Sequence, residues 1–233
     1  MKSLFYSYDM TVDFAYIIRI KNNNMSEQMA DRCARSCETI NQNYKFWDAY
    51  DGTNDGIKIP SHHNAVMELI KVTDNYLTRT EVATALSHIS LWVECSRQDK
   101  PIIILEHDAI MLKPYLRHEV FNSIAYLGAV EQYHNKCPIT PTPLHASNGP
   151  NYHSIYKAHA YAIDPAIAKN LISYVIKKGI CAPLDIMIRA DIFPIHQTDL
   201  FAFDFESNRS NTTITGRAPV NEKPSIRNDN LLI

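Results

Sequence analysis

The chain has 233 residues, a formal net charge of −2 and a sequence pI of about 6.5. This length suits one α/β domain with a modest appendage and allows a substantial hydrophobic core. The near-neutral charge does not require a polyanionic partner, although a local basic groove is compatible with a neutral total. The N-terminus lacks the apolar core of a secretory signal, and no apolar stretch approaches the length of a membrane-spanning helix. We therefore expect a cytoplasmic protein with no transmembrane segment.

The five cysteines are odd in number and scattered along the chain. Cys33 and Cys37 are one helical turn apart, but no second pair of ligands accompanies them at a spacing typical of a zinc site. We therefore expect free thiols, which agrees with a reducing compartment.

The first third of the chain predicts alternating strands and helices. Residues 14–20 form an apolar strand that leads through a polar turn into a helix from about Ser26 to Thr39. A second strand is expected at residues 46–50, and Asp51 before Gly52 is typical of a turn. Residues 53–64 have little periodicity and predict a loop.

A long helix is predicted after Thr78. Thr78 and Glu81 have the spacing of a capping box, in which each side chain accepts a hydrogen bond from the backbone of the other residue. Apolar residues then recur on one face of a helix that ends near Gln98. These apolar positions are Val82, Ala85, Leu86, Ile89 and Val93.

Residues 101–109 are the most informative stretch of the sequence. An apolar run bounded by Pro101 ends in two acids, Glu106 and Asp108. The run predicts a strand buried on both faces, and in open α/β sheets ligands bind beyond the carboxyl ends of such strands. Two carboxylates there suit Mg²⁺ or Mn²⁺ carrying a phosphorylated ligand. The simpler interpretation is that both acids open a polar loop.

The second half of the chain predicts strands near residues 126–130 and 160–163, separated by a loop at 137–152 that is a candidate to close over a site. Asp164 and Pro165 indicate the start of a helix that ends at Gly179. Another helix begins near Pro183 and carries Asp185. The alternation of strands and helices favours an α/β fold with a mainly parallel sheet. We expect a single domain at residues 1–206 and a polar, loosely ordered tail at 207–233.

These segments, in this order, resemble glycosyltransferase family 25, which contains bacterial lipooligosaccharide galactosyltransferases and collagen hydroxylysine galactosyltransferases. Residues 80–92 (TEVATALSHISLW) are similar to the family's GEIGCALSHISLW stretch, and residues 103–109 (IILEHDA) to its ILEDDA. Weaker similarities at 157–163 and 183–185 extend the resemblance over roughly residues 14–200. It implies a Rossmann-like, GT-A type glycosyltransferase fold.

Two residues depart from the family pattern. His107 stands where the family usually has Asp, and Arg19 stands where it usually has Asn. Because alternate side chains of an extended segment face opposite ways, Glu106 and Asp108 can share one side while His107 points elsewhere. Arg19 has no evident place in the first contact with the donor.

The resemblance implies a nucleotide-sugar donor held through a metal. Asp108 would bind Mn²⁺ or Mg²⁺ that bridges the donor diphosphate, and the metal would stabilise the leaving UDP. Glu106 would contact the donor ribose or a metal-bound water. His196 is a candidate third ligand that would complete the metal shell.

Three further residues are donor-side candidates, each with a structural alternative. The capping box already explains Glu81, and Asp51 fits a turn. His88 lies two turns after Glu81, where a helical histidine is commonly a hydrogen-bonded structural residue.

On the acceptor side, the resemblance suggests Asp185 as the base and His159 as a lining residue. An inverting transfer requires a base that removes the proton of the acceptor hydroxyl, and a carboxylate in a partly dry pocket can do this. The alternative for Asp185 is a structural one, since any acid gains from the dipole in the first turn of a helix.

We predict a metal-dependent, inverting transferase that uses a UDP-sugar. One acceptor is a saccharide of the lipooligosaccharide kind. Because similar small members occur in phage genomes, the other is hydroxymethylcytosine in DNA, in the cytoplasm of an infected host. Binding that weakens steeply with salt would support the DNA acceptor, and basic tail residues would contact phosphates, namely Arg209, Arg217, Lys223 and Arg227.

Two other classes remain open. A nucleotide-sugar-binding module that has lost catalysis would bind the donor without turnover, and His107 would mark that loss. A metal-dependent phosphoesterase would use several clustered His and Asp ligands, and the sequence has no evident His-rich set.

Overall fold

The computed structural model describes residues 12, 14–53, 55–115, 123–128, 142–143, 155 and 158–204. The proposed tail at 207–233 lies outside the described residues. So does the predicted loop at 137–152, apart from residues 142–143.

Strands and helices alternate along the described chain. The helices are α1 (Asn24–Thr39), α2 (Ala65–Glu68), α3 (Arg79–Gln98), α4 (Pro165–Lys178) and α5 (Leu184–Met187). The strands are β1 (Ala15–Arg19), β2 (Tyr44–Asp48), β3 (Ile102–Glu106), β4 (Ala109–Met111), β5 (Ile124–Gly128), β6 (Thr142–Pro143), β7 (Ala160–Ile163) and β8 (Ile195–Asp204).

The described strands form one eight-stranded sheet in the order β2-β1-β3-β7-β5-β8-β4, with β6 paired to β8. β2, β1 and β3 are parallel neighbours, and β5 and β8 are also parallel. β7 is antiparallel to both β3 and β5, and β4 and β6 are antiparallel to β8. The predicted Rossmann-like α/β fold is confirmed. Its three parallel strands β2, β1 and β3 end at one edge, where ligands of such sheets bind.

β3 is buried on both faces, as its apolar sequence predicts. Ile103 and Leu105 pack in the cluster on the α1 side of the sheet. Ile102 and Ile104 pack in the larger cluster on the α3 and α4 side. Glu106 is the next side chain in this alternation and is the first that is only half buried, so the polar chemistry of β3 begins at the edge of the sheet.

α3 begins with the predicted capping box. The hydroxyl of Thr78 accepts a hydrogen bond from the Glu81 backbone N–H at 3.2 Å, and the Glu81 carboxylate accepts one from the Thr78 N–H at 2.8 Å. The helix ends at Gln98 as predicted, and Asp99 caps it in the left-handed conformation. Capping by these side chains satisfies backbone groups that the first turn leaves unpaired.

α4 also has its predicted ends. Asp164 is the N-cap and its side chain accepts from the Ala166 N–H, Pro165 is at the first position, and Gly179 follows the last turn at φ 77°. The ten-residue strand β8 was not predicted, because its sequence lacks apolar alternation. Its pairing with β5, β4 and β6 forms it instead.

Among the described residues, none of the helices combines the length and the apolar character needed to cross a bilayer. The described cysteines are free thiols: Cys33, Cys37 and Cys95 are buried and Cys181 is exposed.

These burial differences predict the order of thiol modification. Burial raises the pKa of Cys95 to about 12, and a buried thiol is both protonated and shielded from reagent. Iodoacetamide at about pH 8 should therefore alkylate Cys181 in the native protein and leave Cys33, Cys37 and Cys95 intact. Peptide mapping by mass spectrometry measures this, and denatured protein provides the control in which all four react. Equal labelling of Cys95 and Cys181 in the native state would contradict the buried placement.

Candidate active site

A cleft opens at the carboxyl ends of β1, β2 and β3. Its apolar lining comes mainly from β1 and the segments after β1 and β2. Its polar lining comes from α3, and its acids come from the end of β3 and the segment that follows. The lining residues are Ile18, Ile20, Ala49, Tyr50, Gly52, Thr53, Thr80, Ala83, Thr84, Ser87, His88, Glu106, His107 and Asp108.

The segment after β2 is held tightly against α3. The Tyr50 N–H donates to Ser87 Oγ at 2.9 Å, and the Ser87 hydroxyl donates to the Ala83 carbonyl at 2.7 Å. A Cβ at Gly52 would lie 2.6 Å from the carbonyl oxygen of Arg79. Glycine is therefore required for this close approach, which sets the width of the cleft at that point.

Glu106 and Asp108 both line the cleft, and so does His107 between them. Residues 107–108 form a turn rather than extended strand, so the expected alternation does not separate His107 from the two acids. The Oδ1 atom of Asp108 is buried and lacks a hydrogen-bond partner within the described part of the chain. A buried carboxylate oxygen without a partner is unfavourable, and a cation or a ligand hydroxyl would satisfy it.

The two carboxyl groups differ in their pKa. Burial acts to raise the pKa of Glu106, but the hydrogen bond and electrostatic interaction with His88, with the electrostatic interactions of His107 and His159, lower it overall. Burial and then the negative charge of Glu106 raise the pKa of Asp108. Glu106 is therefore the more readily ionised of the pair, and a divalent cation would stabilise both charges.

His88 is directly behind Glu106. Its Nε2 atom lies 3.3 Å from Glu106 Oε1, and its Nδ1 atom lies 2.9 Å from the hydroxyl of Tyr161 on β7. The ring of His88 is fully buried, and Trp92, one turn further along α3, donates its indole N–H to the same hydroxyl at 2.9 Å. The structure thus brings together Glu106, Asp108 and His88 of the predicted donor-side residues.

His107 turns toward the opposite face of the sheet from His88. Its Nδ1 atom lies 2.8 Å from Oγ of Ser26 on α1, and this oxygen also accepts from the Ile20 N–H at 2.8 Å. His107 is also among the lining residues of the cleft. It therefore connects the acidic segment after β3 to the start of α1.

Arg19 is directed at β2 rather than lining the cleft. Its Nε atom lies 3.5 Å from Asp48 Oδ1, and its guanidinium lies 4.2 Å from the centre of the Phe46 ring. The substitution of the family's Asn is thus accommodated by an ion pair and a cation–π contact.

Glu81 and Asp51 lie near the cleft but are not among its lining residues. The Glu81 carboxylate is engaged in the capping box and is only 4 % exposed. Asp51 is buried, and its carboxylate accepts hydrogen bonds from the backbone N–H and hydroxyl of Thr53. Both acids therefore stabilise the backbone segments next to the cleft through hydrogen bonds.

His159, the residue before β7, lies beside Glu106 but is not among the lining residues of the cleft. Its carbonyl accepts the Glu106 N–H at 2.8 Å, and its ring is buried against Gly128, where a Cβ would lie 2.3 Å from the imidazole. Its charge contributes to the pKa of both acids. Asp185 is half buried in the single turn of α5, which packs against α3.

His196 is distant from the two acids. It lies on β8 opposite Ala125 of β5, and two strands, β7 and β5, separate β8 from β3. Neighbouring strands are about 4.8 Å apart, which separates His196 from Glu106. Asp108 precedes β4, which pairs with the Asp204 end of β8, and His196 is near the other end of that strand. The described residues contain no group of three or more His, Cys, Asp and Glu side chains that could hold a metal ion.

Three residues of the site were missed in the sequence: Tyr161, Trp92 and Ser26. Trp92 follows His88 by four residues, so the two share a helix face. Tyr161 carries a hydroxyl group within an otherwise apolar strand. Ser26 contacts a residue 81 positions away, which no local pattern reveals.

A protein-family model matches most of the chain. The model of glycosyltransferase family 25, described as an LPS biosynthesis protein family, matches residues 13–188. The chain belongs to glycosyltransferase family 25. The predicted membership is therefore confirmed, and the chain is a glycosyltransferase.

Among solved structures, this member of family 25 is similar to the crystal structure of a glycosyltransferase involved in the glycosylation of the major capsid of PBCV-1. The two share 10 % sequence identity with a TM-score of 0.32, over 84 % of this chain and 93 % of the other. The search of curated proteins finds no match.

The contact at Gly52 predicts a specific destabilisation. A Gly52→Ala substitution forces Cβ against the backbone of α3, and overpacking of this kind costs about 1–3 kcal/mol of unfolding free energy. Gly56→Ala is the matched control, because a Cβ there meets nothing within 4 Å. Urea denaturation of both variants measures the difference. Equal unfolding midpoints would show that the segment after β2 is not confined by α3.

Proposed function

We propose that the enzyme transfers a sugar from a UDP-sugar to a hydroxyl of a saccharide acceptor, in a metal-dependent reaction with inversion. The observation that carries this proposal is the pair Glu106 and Asp108, which lines a cleft at the carboxyl ends of parallel strands. The unpartnered Oδ1 of Asp108 is available, within the described structure, for a metal or a donor hydroxyl.

The lining of the cleft fits a nucleotide. Ile18, Ile20 and Ala49 offer an apolar surface for a base, whereas Glu106 and Asp108 offer oxygens for a metal-bound diphosphate and a ribose. Sites for small ligands combine such apolar walls with a few polar groups. UDP is the nucleotide that we assign on the resemblance to the family.

The residues present fit a divalent cation. Mg²⁺ usually retains several waters and is bound through one or two carboxylates together with substrate phosphates, and octahedral oxygen ligation also suits Mn²⁺. Asp108 and Glu106 would supply such a pair, with the donor completing the shell, and His196 is not required. When bound, the cation would neutralise charge on the departing diphosphate.

The protein's own part in the reaction is to hold the donor and to remove a proton. Asp185, beside α3, would accept the proton of the acceptor hydroxyl while the hydroxyl oxygen attacks the anomeric carbon. The bond from that carbon to the UDP oxygen breaks in the same displacement, which inverts the configuration. His159 would support the acceptor side from behind Glu106.

A saccharide is the acceptor favoured by the family description, which names LPS biosynthesis. The overall charge of −2 offers no general attraction for DNA, and the basic tail positions proposed as phosphate contacts lie outside the described residues. Hydroxymethylcytosine DNA is therefore kept as an outcome of the acceptor experiment.

Asp108→Asn tests the centre of the proposal. Loss of one carboxylate charge should reduce Mn²⁺-dependent UDP release at least about 100-fold, since metal-assisted charge stabilisation contributes several kcal/mol. Asp99→Asn is the matched control, because Asp99 is exposed at the end of α3 and pairs only with Lys169 among the contacts described. An Asp108→Asn enzyme with full metal-dependent release would overturn the assigned role.

The acceptor is determined by measuring UDP release from UDP-sugars with saccharide acceptors and, separately, with hydroxymethylcytosine DNA. Stimulation by a saccharide alone is the expected result. If only the DNA stimulated UDP release, hydroxymethylcytosine DNA would be the acceptor instead of a saccharide. Calorimetric binding of a UDP-sugar without release under any condition would instead indicate a binding module that has lost catalysis.

A further inference from the structure

Three buried side chains form a hydrogen-bonded chain behind Glu106. Trp92 Nε1 lies 2.9 Å from the Tyr161 hydroxyl, this hydroxyl lies 2.9 Å from His88 Nδ1, and His88 Nε2 lies 3.3 Å from Glu106 Oε1. Trp92, Tyr161 and His88 each have 0 % exposure. The chain therefore runs from the interior of the protein to a carboxylate that lines the cleft.

The chemistry of the three side chains determines which group donates and which accepts in each of these hydrogen bonds. An indole N–H can only donate, so the oxygen of Tyr161 accepts from Trp92. The hydroxyl proton of Tyr161 then points to His88 Nδ1, the other partner of this oxygen in the described structure. Burial raises the pKa of Tyr161 well above its ordinary value, so the hydroxyl keeps its proton.

The tautomer of His88 follows from this direction. An Nδ1 that accepts a hydrogen bond carries no proton, so the ring proton is on Nε2. That N–H faces Glu106 Oε1 and donates to it. The rings of His88 and Tyr161 are also nearly parallel, at 12°, with centres 5.7 Å apart, which restricts rotation of the imidazole.

We propose that Trp92 and Tyr161 fix His88 as its Nε2–H tautomer, and that His88 thereby holds Glu106 in one orientation for the donor. His88 and Tyr161 are positioning residues that act through Glu106. This inference rests on the proposed function, because it assigns to Glu106 a contact with the UDP-sugar or its metal.

The hydrogen-bonded side chains lie on three rigid elements, and they can therefore order Glu106 before a ligand binds. His88 and Trp92 lie on α3, Tyr161 on β7 and Glu106 at the end of β3. A glutamate side chain with several rotamers loses conformational entropy when it is ordered to bind a ligand. A hydrogen bond from His88 that orders Glu106 in advance removes this entropy cost from binding. Oε1 is engaged by His88, which leaves Oε2 for the donor side.

Two amide substitutions of His88 give a sharp test. The side-chain nitrogen of glutamine reaches the position of Nε2 and can donate to Glu106, whereas the shorter asparagine reaches only the position of Nδ1. We expect His88→Gln to retain at least about tenfold more kcat/KM for the donor than His88→Asn, as one hydrogen bond to a charged group is worth about that factor. Equal activities, or the reverse order, would overturn the proposal.

Tyr161→Phe tests the next member of the chain. Loss of the hydroxyl leaves Nδ1 without its donor, and kcat/KM should fall about tenfold. Tyr115→Phe is the matched control, since Tyr115 is equally buried but packs against Phe201 on the α1 side of the sheet. Identical kinetics of the two variants would contradict the proposal.

The tautomer itself can be measured in the wild-type protein, independently of activity and of variant folding. Long-range ¹H–¹⁵N correlation spectra assign the protonated nitrogen of His88. We expect a proton on Nε2 and none on Nδ1, and the opposite tautomer would overturn the inference. If the enzyme released no UDP from any donor, the proposed function would fail, whereas this spectrum would still decide the state of His88.

Discussion

Burial of β3 on both faces is the constraint on which the site depends. Its apolar side chains fill two separate clusters, and water first reaches this strand at Glu106. The first polar side chains of the strand therefore appear at the edge where three parallel strands end. Glu106, His107 and Asp108 all line the cleft at this edge, and His107 also contacts Ser26 on α1. A change that exposed the middle of β3 would move the acids as well, because Glu106 is the last residue of this strand and Asp108 follows it closely.

α3 combines three structural roles along one helix. Its capping box fixes its start beside Gly52, its next turns line the cleft, and His88 and Trp92 connect the cleft to Tyr161. The regular geometry of a 20-residue helix keeps these roles in register, since each turn advances about 5.4 Å. The position of Glu106 therefore depends on the stability of a helix that contributes no acid to the cleft.

Much of the fold and part of the site were predictable from local patterns. The periodicity of α3, its capping box, the ends of α4 and the apolar run of β3 are encoded within a few residues, and each was confirmed. β8 was not predicted, because its pairing partners rather than its own alternation form it. His196, expected as a metal ligand, lies on β8, with two strands between it and β3, and the order of strands cannot be derived from spacing along the chain.

By itself, the sequence determined the family, most of the longer elements and the pair of acids that follow the apolar run of β3, because periodicity, caps and short motifs act over one or two turns. Only the tertiary structure decided which residues surround those acids. His88 meets Tyr161 across 73 residues, and His107 meets Ser26 across 81. Such contacts result from packing helices on both faces of one sheet, and their pairing depends on strand order and register, which no local pattern specifies.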